Sequence, residues 1–417
     1  MGLADKIMEI DGIDVCEVSI PSELCGLGCL GVYDSSILLG IVRGAYSKSL
    51  DIYDLTRNAV EIAHVDITRK NIVWWGRIVI ILPILCTAIL IYLITVPPRP
   101  PLLKVITAGN VFISMMFFIA MGITMAVLFQ IGIVLRSYTL VDVAYDPLGG
   151  FIVAYKDGTI GYFDLGERRL TWRKIPEMSS ASSDVINVLL STFVMMLFPL
   201  FTYIALFYVP PQQFILFIYI ALPIWTIIFL IMWWLVWSAY FKRIRIFVED
   251  GYIAFLCPGM MNRQKIVVTD KNWNVIEQYT VQMYGLYNIF MMIPLVGFTF
   301  VQPFDTLVYW DYYKIYRLDV STGEKTVLMD VRRVLSETYR AQGGRAPIPM
   351  RLIHLMGTVS SIYRFRDSSS FLVITKVGEI YSVNINGEYR HVGDIAKRIC
   401  YASKIGDRIY LATSKVF

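Results

Sequence analysis

Histidine and charged residues are scarce in this chain. Three histidines, at positions 64, 354 and 391, occur in 417 residues, and charged residues make up 17% of the total. None of the three histidines has a serine, a cysteine or a second metal ligand at the spacing of a known motif. The sequence also contains no Walker loop, dinucleotide fingerprint, HExxH or nucleophile elbow. The sequence therefore predicts no enzymatic activity, no catalytic residues and no cofactor.

Cysteine is also sparse and irregularly spaced. The six cysteines lie at positions 16, 25, 29, 86, 257 and 400, without the paired spacing of a secreted disulfide framework. Cys16, Cys25 and Cys29 form a loose group, but structural zinc takes four ligands and no histidine or fourth cysteine is near. We therefore predict reduced thiols, no structural disulfide and no metal site.

Positive charge is too weak and too dispersed for nucleic-acid binding. The formal net charge is +5, and the basic residues do not alternate with aromatic residues in a binding array. Nucleic acid is therefore not an expected partner.

Long hydrophobic runs, in contrast, are abundant. Hydrophobic residues make up 56% of the chain and the mean hydropathy is +0.57, above the range of ordinary globular domains. Four segments reach the length needed to cross about 30 Å of hydrocarbon as helices, and short proline-containing links join them in pairs. The sequence predicts an integral membrane α+β protein with two transmembrane hairpins, formed by residues 73–96 with 105–135 and 186–209 with 214–240.

Flanking residues predict how these helices sit in a membrane. Basic residues gather on one side, for example Arg69, Lys70 and Lys242, so the positive-inside rule places the β domain and both termini in the cytoplasm and the helices in the cell membrane. Small residues four apart, Gly122 and Ala126, favour close helix packing. An aromatic belt at the membrane interface is predicted for Trp74, Trp75, Trp233, Trp234 and Trp237.

Outside these segments one strand pattern recurs five times. A short apolar strand, usually ending near glycine, is followed by a second strand that closes on Asp or Asn, an aliphatic residue and a turn. Strand pairs at recurring spacing are typical of radial β repeats, and the aspartates are typical turn formers. The copies are residues 37–44 with 52–55, 151–158 with 162–165, 252–259 with 267–270, 306–313 with 316–320, and 371–378 with 381–385.

In this pattern the chain resembles the β-propeller families with WD40-like and quinoprotein-like repeats. It lacks their blade-closing Trp-Asp signature, since Trp310-Asp311 is isolated. The resemblance implies a propeller of about six blades. The sixth would be completed by N-terminal residues 7–15, around the hairpin-forming Asp11-Gly12, so that the ring has no exposed sheet edge. The alternative is two packed antiparallel sheets.

The repeats and hydrophobic segments together predict the domain organisation. Residues 1–70 hold the closing strands and blade 1, 71–136 hairpin 1, 137–180 blade 2, 181–241 hairpin 2, 242–280 blade 3, 281–303 an apolar interfacial insert, and 304–417 blades 4 to 6.

A basic insert between two blades is a further candidate for the membrane interface. A short helix is predicted over residues 332–340, and its arginines would meet anionic lipid headgroups. A solvated loop or a contact with a partner protein is the alternative. The predicted interface residues are Arg332, Arg333 and Arg340.

Three functions remain compatible with these patterns. The favoured one is a membrane-anchored propeller scaffold, an accessory subunit that contacts lipid and other subunits of a membrane complex. A transporter, translocation or secretion component would use the four helices to line a path, and a membrane-bound quinoprotein-like enzyme would need a charged or aromatic pocket on the propeller axis. Low glutamine content with many Ile, Val and Tyr residues is typical of a thermophilic source.

Overall fold

Strand pairs repeat along most of the chain in the computed structural model. The chain divides into two compact units. Unit 1 comprises Met1–Thr68, Leu140–Ser179 and Lys242–Phe417, and unit 2 comprises Arg69–Thr139 and Ser180–Phe241. The structure describes residues 4–44, 47–70, 72–79, 81, 84–85, 127–179, 185–186, 189, 220, 223–224, 227, 230, 244–249, 251–258, 263–282, 297–302, 305–311, 313–341, 359–365, 369–395 and 397–414.

Unit 1 contains six four-stranded sheets, which we number as blades 1 to 6. Blade 1 comprises β3 (Leu27–Tyr33), β4 (Ser36–Arg43), β5 (Ser49–Asp54) and β6 (Val60–Asp66). Blade 2 comprises β7 (Val141–Asp146), β8 (Gly150–Tyr155), β9 (Thr159–Asp164) and β10 (Arg169–Lys174). Blade 3 comprises β11 (Arg245–Glu249), β12 (Tyr252–Pro258), β13 (Arg263–Thr269) and β14 (Val275–Gln282).

The remaining blades follow in chain order. Blade 4 comprises β15 (Gly297–Gln302), β16 (Thr306–Trp310), β17 (Lys314–Asp319) and β18 (Lys325–Asp330). Blade 5 comprises β19 (Val359–Arg364), β20 (Ser370–Thr375), β21 (Ile380–Asn384) and β22 (Tyr389–Gly393). Blade 6 combines β23 (Arg398–Ile405) and β24 (Arg408–Ser414) with β1 (Asp5–Ile10) and β2 (Ile13–Ser19). Helix Val331–Ala341 follows blade 4, and one-turn 3₁₀ helices occupy Ser22–Leu24, Leu55–Arg57 and Pro176–Met178.

Burial differs between inner and outer strands of a blade. In blade 2 every residue of β8 is buried, whereas most of β10 is exposed. The predicted turn role of aspartate is confirmed, because the carboxylates accept hydrogen bonds from backbone N–H groups two or more residues ahead. This is seen at Asp54, Asp146, Asp157, Asp164, Asp270 and Asp319.

The blades form a closed ring. The first strand of each blade contacts the first strand of the next, in the order β3, β7, β11, β15, β19, β23 and back to β3. Six clusters of buried apolar side chains occupy the six interfaces between neighbouring blades. The predicted six-bladed β-propeller is therefore confirmed, and its core lies between blades rather than in one centre.

Blade 6 closes the ring because it combines N-terminal strands with C-terminal strands. Its strand order is β1-β2-β24-β23, as predicted from residues 7–15. β2 pairs with β24 in parallel, with Val15 opposite Ile409, whereas β1 and β2 form an antiparallel hairpin around Asp11 and Gly12. Both hairpin residues have positive φ, 47° and 79°, as a tight two-residue turn requires.

The prediction of four membrane-spanning helices is wrong. Among the residues that the structure describes, no helix combines the length and the apolar composition needed to pass through a bilayer. Most of segments 73–96, 105–135, 186–209 and 214–240 lies outside those residues. The integral membrane class, and the cell-membrane location with a cytoplasmic β domain, are corrected with it. High overall hydropathy is a poor indicator here, because the six interfaces between blades also use many apolar residues.

The expectation of no disulfide is also corrected. Cys25, just before blade 1, is bonded to Cys400 in blade 6 across a sequence separation of 375 residues. Cys16, Cys29 and Cys257 are free thiols. The bond therefore joins the first and last blades of the ring beside the β2–β24 pairing.

Replacing Cys25 by serine is expected to lower the free energy of unfolding by about 2–4 kcal/mol, because the cross-link restricts the unfolded chain. Denaturant unfolding under non-oxidising and oxidising conditions measures the effect. Cys257→Ser, which removes a free buried thiol, is the control and should not abolish the difference between the two conditions. Equal stability of wild type and Cys25→Ser in oxidising buffer would contradict the expectation.

Candidate functional site

The residues predicted for the membrane interface are only partly described. Trp74 and Trp75 lie in a helical stretch of unit 2, residues 72–79, with exposed rings in a T-shaped pair 5.6 Å apart. Trp233, Trp234 and Trp237, and the predicted packing pair Gly122 and Ala126, lie outside the described residues, as does most of the predicted 281–303 insert.

The predicted basic helix is present as Val331–Ala341 in unit 1. Arg332 and Arg333 are exposed, and Arg333 forms an ion pair with Glu337 one turn later, with Nε and Oε1 2.9 Å apart. Arg340 belongs to the same helix. Contact of these arginines with lipid stays a prediction.

A different group of charged residues lies at one end of the ring. Arg245 and Arg398 are the first residues of the innermost strands of blades 3 and 6, and Lys376 lies in the turn between the second and third strands of blade 5. In blades of alternating strand direction, these positions belong to the same mouth of the ring. With Asp142, near the start of the innermost strand of blade 2, we call them the axial cluster: Asp142, Arg245, Lys376 and Arg398.

Hydrogen bonds hold the axial cluster to the blades. The Nη1 of Arg245 lies 3.3 Å from Oδ1 of Asp142, and the backbone N–H of Ile246 donates to Oδ2 of Asp142 at 2.9 Å, which joins blades 2 and 3. The carbonyl of Lys376 accepts from the N–H of Ile399 at 3.0 Å, which joins blades 5 and 6.

The pKa of Lys376 is affected by charged residues of two other blades. Burial lowers the pKa of Lys376, and the positive charges of Arg398 and Arg245 lower it further. Arg245 and Lys376 belong to blades 3 and 5, which are not neighbours in the ring. Burial raises the pKa of Asp142, and Arg245 counteracts that shift.

The axial cluster is arranged to receive negative charge. Three cationic side chains face one carboxylate, and that carboxylate is already paired with Arg245. Partial burial strengthens electrostatic contacts relative to those in open water. The sequence alone did not indicate this site, because its members come from four blades and share no local motif.

These features define the protein as a closed, six-bladed β-propeller with a cationic mouth. The chain is not assigned to a family, because no protein-family model and no curated protein matches it.

Three solved structures illustrate what the chain is similar to. PorZ, a surface component of the type-IX secretion system of Porphyromonas gingivalis, is 11% identical, with 63% of this chain and 23% of that chain covered and a TM-score of 0.28. The WD40 domain of fission-yeast SCAP is 8% identical, with coverages of 90% and 54% and a TM-score of 0.30. BamB from Moraxella catarrhalis is 8% identical, with coverages of 92% and 79% and a TM-score of 0.32. This chain thus spans about a quarter of the first protein and about half of the second. Likeness at this level assigns no function.

Proposed function

We propose that the protein is a non-enzymatic scaffold that binds a partner protein at the cationic mouth of its propeller. The observation that carries the proposal is the axial cluster, in which side chains from four blades meet at one end of a closed ring. A rigid ring holds those charges in place before binding, so little conformational entropy is lost when a partner docks.

The charge of the cluster indicates the chemistry of the partner. Within the axial cluster, Arg245, Lys376 and Arg398 carry positive charge and Asp142 carries negative charge, and an acidic segment would complement this net positive charge. Arginine binds carboxylates with two parallel hydrogen bonds, which gives geometric specificity as well as attraction. We therefore expect the partner to present an Asp- or Glu-rich loop or terminus.

Replacing Arg398 by alanine tests the proposal. Partners are first captured by cross-linking to the native protein and then purified, so that direct binding is measured with two defined components. We expect Arg398→Ala to weaken binding about tenfold, the loss typical of a hydrogen bond to a charged group. Affinity of the wild type should also fall as salt is raised.

The matched control is Arg390→Ala. Arg390 is an exposed arginine on β22, the outermost strand of blade 5, and its loss should leave binding unchanged. If both variants bind alike, the mouth is not the docking site. If a small anion binds with the same dependence on Arg398 and no protein does, ligand binding replaces the scaffold function.

A further inference from the structure

A second charged group lies away from the axis, on the outer half of blade 1. It consists of Asp51 on β5 and of Glu61 and His64 on the outermost strand β6. One ligand atom from each of the three lies within 4.8 Å of the others. The two carboxylates and the imidazole are the oxygen and nitrogen ligands that zinc takes in proteins.

Strand register brings these side chains onto one face. Asp51 lies directly opposite His64 in the β5–β6 pairing. Glu61 is three residues before His64, so in a regular strand the two side chains would point to opposite faces. A register shift places Ile52 opposite Ala63 and Tyr53 opposite Glu61, which leaves one extra residue in β6. This bulge turns Glu61 toward the face that carries His64.

A buried carboxylate oxygen points into the group. The side chain of Asp51 is 6% exposed, and the contact of its Oδ1 with His64 lacks hydrogen-bond geometry. This oxygen lies 2.8 Å from Nδ1 of His64. A buried oxygen without a hydrogen bond is costly, and a cation between it and a histidine nitrogen would satisfy both groups.

In each carboxylate, one oxygen contacts a neighbouring donor and the second oxygen is directed toward His64. Arg43 Nε lies 3.5 Å from Oδ2 of Asp51, and the hydroxyl of Tyr53 donates to Oε2 of Glu61 at 3.4 Å. The remaining oxygens, Oδ1 of Asp51 and Oε1 of Glu61, are 2.8 Å and 3.9 Å from Nδ1 of His64. Donors that orient the metal-binding groups in this way are typical of protein metal sites.

We propose that Asp51, Glu61 and His64 bind one zinc ion at the edge of blade 1. Ligand atoms around tetrahedral zinc are roughly 3.3 Å apart, and the two measured separations lie on either side of that distance. Glu61 and His64 are 46% and 63% exposed, so both can adjust and the ion has a path from solvent. Water, or a ligand from a bound molecule, fills the fourth position.

The cation Arg43 lies beside the group, and its position is compatible with the ion. Its guanidinium contacts Oδ2 of Asp51 and lies over the ring of Tyr53, with 5.5 Å between Cζ and the ring centroid. Two carboxylates and one arginine leave the group with a net charge of −1 before the metal binds.

Zinc titration of the full-length protein, stripped with a chelator, tests the site by calorimetry. We expect one equivalent to bind, His64→Ala to abolish that binding, and Tyr53→Phe to weaken it about tenfold through loss of the hydrogen bond to Glu61. Cobalt provides a second readout, because tetrahedral Co²⁺ absorbs visible light and His64→Ala should remove the band.

His391→Ala is the matched control. His391 also contacts a buried carboxylate, with Nε2 2.6 Å from Oε2 of Glu379, but it is not part of the three-ligand group. This variant should keep full zinc binding. Circular dichroism verifies that all variants fold. The proposal is overturned if the wild type binds no zinc, or if His64→Ala binds zinc as well as the wild type.

Discussion

Replacing Val15 by aspartate is expected to lower the free energy of unfolding by about 5 kcal/mol or more, enough to prevent ring closure. Val15 is fully buried on β2, opposite Ile409 of β24 in the parallel pairing that completes blade 6. It packs in the cluster between blades 5 and 6 with Leu372 and Leu411. A carboxylate there has only apolar neighbours. Denaturant unfolding monitored by tryptophan fluorescence measures the loss.

Ile7→Asp is the control for this change. Ile7 lies on β1, the outermost strand of blade 6, and is 36% exposed, so the same type of substitution should cost less than about 1 kcal/mol. If Val15→Asp yields no folded protein, Val15→Ala gives a measurable loss of about 2 kcal/mol. Wild-type stability of both Val15 variants would show that the N-terminal strand does not close the ring.

The repeated strands were predictable because each carries its own local signal. Apolar inner strands, and turns that begin with Asp or Asn, recur in the copies, and such patterns depend on neighbours a few residues apart. The Asp11-Gly12 turn likewise predicts the β1–β2 hairpin. The parallel direction of β2 against β24 was not predictable, since it depends on residues at opposite ends of the chain.

The corrected predictions share a physical cause. Overall hydropathy reports how apolar the chain is, and the interfaces between blades account for part of that apolar content without a bilayer. The spacing of cysteines along the sequence indicates disulfides that close short loops. Cys25 and Cys400 are far apart in sequence and come together because the ring closes. In each case the sequence pattern is real, and the tertiary structure decides its use.

Neither charged site could be found from spacing. The axial cluster requires the order of blades around the ring, and the Asp51–His64 contact requires the register of β5 against β6. The bulge that turns Glu61 toward His64 is invisible without that register. The scarcity of histidine argues against the familiar linear motifs, but residues from neighbouring strands can still come together.

Phe151→Ala is expected to cost about 3–5 kcal/mol by opening a cavity between blades 1 and 2. Phe151 is fully buried on β8, and its ring lies edge-on to Tyr145 with centroids 5.4 Å apart. It packs with Leu38 and Leu50 of blade 1. Urea unfolding measures the cost. The structure also explains why blade 1 has a glycine opposite this ring, since a Cβ at Gly40 would lie 2.6 Å from Cε1 of Phe151.

This contact predicts that the effect of Gly40→Ala depends on Phe151. In the wild type the added methyl overlaps a ring that cannot move, and we expect a loss of about 1–3 kcal/mol. In the Phe151→Ala background the same methyl enters the cavity, so the substitution should be neutral or stabilising, with a coupling energy of about 1–2 kcal/mol. Phe371→Ala, a buried truncation in blade 5, provides the comparison, and there the two costs should add. Equal costs of Gly40→Ala in all three backgrounds would show that the two blades do not meet at this ring.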